Sequence, residues 1–186
     1  MPDAGSGERF AALYRCRVII RAGTIDERDA CVDIWVEALR ARDGAEQGDE
    51  VAARARSKFA QLIVRFAVVG VKPFAFALTS DASIRPDRRV AMLELLAVAP
   101  GEAGHGAGRA LVADAIESAS RLGYASLELQ VRAGNSRAQE LYASSGFSPQ
   151  GPPTPHPLGG PPMIGYALPL PEWSVSTIQR RNEGRT

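Results

Sequence analysis

The sequence predicts an α/β domain with helices packed on a mixed sheet, and three observations carry that expectation. Strand-like and helix-like stretches alternate along the chain. An almost wholly apolar run at 90–98 leads into a glycine-rich loop and then an amphipathic helix. An extended stretch follows that helix, so a strand–loop–helix–strand crossover should set two strands parallel. At 186 residues, with 45% hydrophobic and 23% charged content, one domain with a substantial core is expected.

Each element has its own signal. Val18, Ile19 and Ile20 are β-branched, and Thr24-x-x-Glu27 matches a capping box, which predicts a strand, a turn and then a helix over about 26–40. Ala30, Ile34, Trp35, Ala38 and Leu39 give that helix an apolar face, and Asp43-Gly44 ends it. A more polar helix is expected at about 46–59. The strand formers at 61–69 and 74–78, punctuated by Gly70 and Pro73, predict an antiparallel hairpin. The run 90–98, interrupted only by Glu94, reads as a central strand covered on both faces. Leu111, Val112, Ala115, Ile116, Ala119 and Leu122 stripe the next helix up to Gly123. Leu127, Leu129 and Val131 then alternate with Glu128 and Gln130 in the second parallel strand. Asn135 is placed to cap a short helix ending at Gly146. Prolines crowd 149–162, which predicts a long surface loop before a last strand at 163–168.

Composition narrows the class. The formal net charge of +1 sets up no global field for nucleic acid or an anionic membrane, and neither partner is expected. Cys16 and Cys31 lack metal-ligand or redox spacing, so reduced thiols and no metal are expected. No apolar run reaches the ~18 residues of a membrane span, and none resembles a signal segment. A cytoplasmic protein is the expectation. Lys58 and Lys72 are the only lysines, an arginine-for-lysine usage typical of a GC-rich bacterial genome.

The chemistry concentrates around the loop. Gly104, Gly106 and Gly108 let the backbone turn tightly and aim several N–H groups at an anion held at a helix N-terminus. A Walker loop would need Gly-Lys-Ser/Thr where Gly108-Arg109-Ala110 stands, and a dinucleotide fingerprint would need glycine in place of Arg109. A bland alternative is a connector that only permits close strand–helix packing.

Two ordered blocks decide between these readings. The loop, Val98-Ala99-Pro100-Gly101-Glu102-Ala103-Gly104-His105-Gly106-Ala107-Gly108, resembles the Val-x-Pro-x-x-Arg/Gln-Gly-x-Gly-x-Gly/Ala block of the GNAT superfamily. About 30 residues on, Asn135, Ala138, Leu141, Tyr142, Gly146 and Phe147 resemble that family's Asn-x-x-Ala-x-x-Leu-Tyr-x-x-x-Gly-Phe. The likeness spans roughly 17–170 and departs at Ala103, where the family usually carries Arg or Gln. It implies an acyl-CoA N-acyltransferase fold with a mixed sheet of about six to seven strands and about four helices. The implied organisation is a flexible segment 1–14, a transferase domain 15–170 and a tail 171–186.

The resemblance also implies an activity: direct transfer of the acetyl group of acetyl-CoA to a primary amine of a small molecule or protein. A weak or inactive acyl-CoA-binding regulatory module of the same fold is the alternative. By resemblance, Leu96, Ala97 and Val98 line the pantetheine arm. The loop from Ala103 and Gly104 through His105, Gly106, Ala107 and Gly108 to Arg109 meets the pyrophosphate, and Asn135 and Tyr142 face the cofactor channel. Tyr142 is the implied proton donor to sulfur, against the reading of a packed aromatic. Asn135 reads equally as a helix cap. Dimers are common among similar proteins.

Glu94 is the candidate general base, because an acid inside an apolar strand is desolvated and so disposed to accept a proton. Pairing with an arginine or a backbone group, or pointing out past the edge of the sheet, is its structural alternative, and Glu128 is a weaker candidate. His105 is read as a spacer, and His156 as an exposed loop residue, with lining of the acceptor pocket as its alternative. That pocket is implied around 37–58 and 149–163. There Asp43, Glu46, Asp49 and Glu50 would attract a cation, yet Arg40, Arg42, Arg54 and Arg56 intermingle with them, so the acceptor class stays open.

Overall fold

In the computed structural model, residues 18–44, 48–85, 87–156 and 159–171 are described. The expectations for Cys16, Glu46, the segment 1–14 and the tail from 172 onward fall outside them. A seven-stranded sheet in the order β1-β2-β3-β4-β5-β7-β6 forms the middle layer. Its strands are β1 (Ile20–Ala22), β2 (Ile63–Val69), β3 (Ala75–Asp81), β4 (Val90–Val98), β5 (Ser126–Arg132), β6 (Ser148–Thr154) and β7 (Met163–Pro169). Only β4 and β5 are parallel neighbours, joined as expected through a helix, and every other pair is antiparallel.

Helices α1 (Arg28–Asp43) and α2 (Asp49–Lys58) cover one face, while α3 (Ala107–Arg121) and α4 (Ser136–Ser144) cover the other. Each face has its own core. Leu111, Val112, Ala115 and Ala119 of α3 pack with Ala67, Ala77, Leu93 and Leu129, whereas Cys31, Val32 and Ile34 of α1 pack with Phe66, Phe76, Leu78 and Leu95. The buried stripe of α1 is rotated from the expected one: Cys31 and Val32 are buried and Ala30 is exposed. The capping box forms, with Thr24 N donating to Glu27 Oε2 at 3.0 Å. Arg21 fastens this corner to the β2–β3 turn, donating to Glu27 Oε2 at 2.9 Å and to the Gly70 and Val71 carbonyls at 3.1 and 2.9 Å.

The proline-rich stretch departs from the expected loop. Residues 148–154 form β6, an exposed strand at the sheet edge, with its register broken between Gln150 and Thr154 where Pro152 and Pro153 lie. An edge strand needs donors on one side only, so prolines are tolerated there that a central strand would reject. No helix among the described residues is long and apolar enough to cross a membrane.

Candidate active site

The central strand is bulged. β3 and β4 pair as Leu78↔Leu95 and then Thr79↔Leu93, which leaves Glu94 as the extra residue. The insertion reverses the alternation: Ala91 and Leu93 enter the α3-side core, and Leu95 and Ala97 enter the α1-side core. The bulge also marks a split. Pairing of β4 with β5 runs only from Val90↔Ser126 to Leu93↔Leu129. Beyond that level β4 follows β3 to Val98, and β5 follows β7 to Arg132.

The strand end is fixed by Ala99 N donating to Phe74 O at 2.8 Å. In an antiparallel ladder Ala97 is then the next residue whose polar groups turn toward β3, so Leu96 and Val98 present their N–H and C=O to the gap. Of the three residues expected along the pantetheine arm, Leu96 and Val98 therefore offer backbone groups to the split, while Ala97 is turned away and its side chain is buried.

The glycine loop sits at the mouth of this gap. Gly104 and Gly106 have φ of +94° and +89°, values that side-chain-bearing residues avoid, and a Cβ on either would meet nothing within 4 Å. The space above them is open. A Cβ on Gly108 would lie 3.6 Å from Leu141 Cδ2 and 3.8 Å from Val98 Cγ2, which ties the first turn of α3 to both α4 and the open edge of β4. The first bond of α3 runs from Ala110 N to Gly106 O at 3.0 Å, so the amides of Ala107, Gly108 and Arg109 have no intrahelical acceptor.

Arg109 of α3 and Arg137, Glu140, Leu141 and Ser144 of α4 line the adjoining groove. A helix dipole at an exposed terminus contributes only ~0.3–1 kcal/mol to anion binding. Converging amides and two guanidiniums must therefore carry most of a diphosphate's attraction, and the cradle fits such a group. Arg137 was missed by motif reading, although 137, 141 and 144 repeat at i, i+4, i+7 on one face of α4. His105 is exposed with Nδ1 3.3 Å from Glu102 O, and Ala103 offers only a methyl group.

Tyr142 is buried on α4, its ring centroid 5.8 Å from Phe147 and 6.5 Å from Tyr166. Tyr166 pairs with Leu129, the level at which β4 and β5 part, so Tyr142 packs near the apex of the split. Burial pushes its phenol up to about 12, and among the described residues no hydrogen bond reaches its hydroxyl. Asn135 caps α4, its Oδ1 accepting from Ala138 N at 3.2 Å.

Glu94 is not surrounded by apolar side chains as expected. The bulge turns its carboxylate to the α1/α2 side, where Lys58 Nζ lies 2.7 Å from Oε2 and Ser80 Oγ donates to Oε1 at 2.9 Å. Its side chain is 11% exposed. Glu128 accepts from Ser126 Oγ at 3.3 Å.

An open parallel pair with helix-terminal amides at its mouth defines a cleft for an extended, phosphate-bearing co-substrate laid along a strand edge. The chain belongs to the acetyltransferase (GNAT) family, whose model matches residues 28–147. A mycothiol acetyltransferase of Beutenbergia cavernae is 41% identical over 64 residues, covering 34% of this chain and 22% of that relative, so the chain spans about a fifth of its length. The ribosomal-protein-S18-alanine N-acetyltransferase of Escherichia coli superposes with a TM-score of 0.65 at 26% identity, covering 84% of this chain and 96% of that one. A putative acetyltransferase of Salmonella typhimurium, solved with acetyl-CoA, superposes at 0.63 with 19% identity over 85% of this chain and 96% of its own. This last likeness concerns the fold.

Proposed function

We propose that the chain is an N-acetyltransferase that moves the acetyl group of acetyl-CoA directly to a primary amine. The observation that carries this reading is Tyr142 packed at the level where the parallel strands separate, across from the free edge at Leu96 and Val98. In this reading the α3 amides with Arg109 and Arg137 hold the diphosphate, and the Val98 N–H polarises the carbonyl that acetyl-CoA supplies as a thioester. Asn135 serves as the α4 cap and flanks the channel.

Glu94, through water, takes one proton from the acceptor ammonium. The freed amine forms the N–C bond, the C–S bond breaks, and Tyr142 protonates the departing sulfur. A phenol at about 12 releases its proton only when another replaces it. The second proton leaving the new amide nitrogen fills that role, so one proton is released to solvent per turnover.

A non-catalytic acyl-CoA-binding module is the second reading, favoured by the bare methyl of Ala103 in the loop. The transferase domain is taken as 15–170. A bacterial cytoplasmic setting agrees with the arginine-rich composition and the buried free Cys31. We keep a homodimer as the assembly to test by sedimentation.

Thiol release from acetyl-CoA against an amine panel, alongside melting with and without acetyl-CoA, tests the assignment. A melting rise together with acceptor-dependent release is expected. A rise without release from any amine favours the binding module, and the absence of any rise overturns both.

A further inference from the structure

The face of the split away from the glycine loop carries charges that the reaction above does not use. Leu127, Leu129 and Val131 of β5 enter the α3-side core, so strand alternation turns Glu128, Gln130 and Arg132 toward α1 and α2. Arg132 stands three residues past Leu129, roughly 10 Å beyond the last β4–β5 pair and level with the Leu96 edge. Its guanidinium there meets groups from distant parts of the chain. Nη1 is 3.5 Å from Asp43 Oδ2 at the end of α1, and Nη2 is 3.5 Å from His156 Nε2 in the β6–β7 connection.

Asp43 is already taken by Arg42, whose Nε and Nη2 lie 2.6 and 2.8 Å from its oxygens. His156 is half-buried, and desolvation, followed by the fields of Arg132, Arg54 and Arg42, holds its ring below the ordinary histidine range against an opposing hydrogen bond with Gly159. The Arg132 guanidinium thus lies beside the imidazole, the charges of Arg54 and Arg42 reach it, and among the described residues Asp43 is the one carboxylate seen in contact with Arg132 or Arg42. Drawing like charges together at the edge of a cleft is unfavourable unless an anion joins them. Asp33, Glu37 and Asp49 line, with Arg40, an open groove between α1 and α2.

We propose that Arg132 and His156, with Arg54 and Arg42 adding to the positive field, bind an anionic group, a carboxylate or a phosphoryl, on the amine acceptor. The acceptor would lie with its amine toward Glu94 at the apex of the split and its anion toward Arg132. This rests on the acetyltransfer reading and deepens it to a substrate class: amines that carry an oxyanion.

The test uses the whole chain saturated with coenzyme A, so that the glycine loop is filled, titrated separately with inorganic phosphate and with acetate. The ring signals of the two histidines are followed by NMR. A saturable shift at His156, with His105 unmoved, is expected with at least one anion, and the stronger of the two identifies the group. Arg132→Gln should weaken it tenfold or more, and Arg54→Gln, at an exposed position, to a smaller degree. No saturable shift at His156 with either anion, or one that both variants leave unaltered, overturns the inference.

In the turnover assay, carboxylate-bearing amines should exceed their carboxamide counterparts tenfold or more in kcat/KM, and equal rates would equally overturn it. Failure of the acetyltransfer reading shows separately, as the absence of a coenzyme-induced melting shift. The phosphate titration at His156 is still read in that case.

Discussion

The two sides of the split are built by different means. In the proposed reading, recognition on the α3/α4 side rests largely on backbone, namely two positive-φ glycines, the amides that open α3 and the edge of β4, joined by Arg109 and Arg137. The site proposed on the α1/α2 side is built from side chains on three separate stretches, namely Arg42 with Asp43, Arg132, and His156. A backbone cradle serves one invariant partner, since its geometry leaves little to vary. A ring of side chains can be exchanged residue by residue, which suits the variable partner. The same contrast explains why the cofactor side announces itself in short motifs and the acceptor side does not.

The largest effect expected on this division is from Tyr142→Phe. Loss of a positioned acid should lower kcat by about 10²–10⁴-fold with the acetyl-CoA melting shift preserved, as read by thiol release. Normal turnover would remove Tyr142 from the chemistry. Gly106→Val attacks the backbone side directly: no neighbour lies within 4 Å of a Cβ there, so the cost comes from forcing a β-branched residue to φ +89°. Strain of about 1–3 kcal/mol corresponds to about 5- to 150-fold weaker acetyl-CoA binding by calorimetry, and unchanged binding would mean that the loop is only a connector.

Glu94→Gln bears on the boundary between the two sides. It removes a charged partner from Lys58 and Ser80, so about tenfold lower kcat/KM is expected, deepening toward acid pH where a base matters most. A pH profile parallel to that of the parent would take Glu94 out of the mechanism.

The scaffold of the acceptor side can be tested through stability. Arg21 and the Thr24 amide hold the Glu27 carboxyl down at about 2. A depressed carboxylate contributes stability that is complete above its unfolded value near 4.5 and is lost as pH falls through about 2. Glu27→Gln should therefore melt lower than the parent at neutral pH, with the gap shrinking between those limits. A gap independent of pH would show that packing, not charge, pins the corner. The smallest effect is expected from Asp49→Asn with Glu50→Gln. Asp49 faces the α1–α2 groove rather than the Arg132 cluster, so KM should hold at any salt concentration. A salt-sensitive rise would restore the alternative of an acidic patch steering a cation.

Much of the fold was legible locally. The β4 run has its expected bounds, 90–98, the Thr24 box and the Asn135 cap formed as their sequence signals indicated, and so did the α3 stripe except at Leu122, which is exposed beyond the helix end. Three features were not. β6 was hidden because a proline-rich strand is possible only at an edge, and edge position depends on strand order. The polar partners of Glu94 were hidden because its direction depends on a bulge set by the register with β3. Arg137 carried a usable signal in its helical spacing, whereas Arg132 and His156 carried none, since 24 residues separate them.

By itself the sequence determined the elements other than β6, the crossover that makes β4 and β5 parallel, and the glycine loop that opens α3, because each is written in neighbours a few residues apart. Where β4 leaves β5, which way Glu94 turns, and the meeting of Arg132 with His156 and Asp43 were decided only by the tertiary structure. Those outcomes depend on strand register and on helices packing across a sheet, interactions between segments that no local pattern encodes.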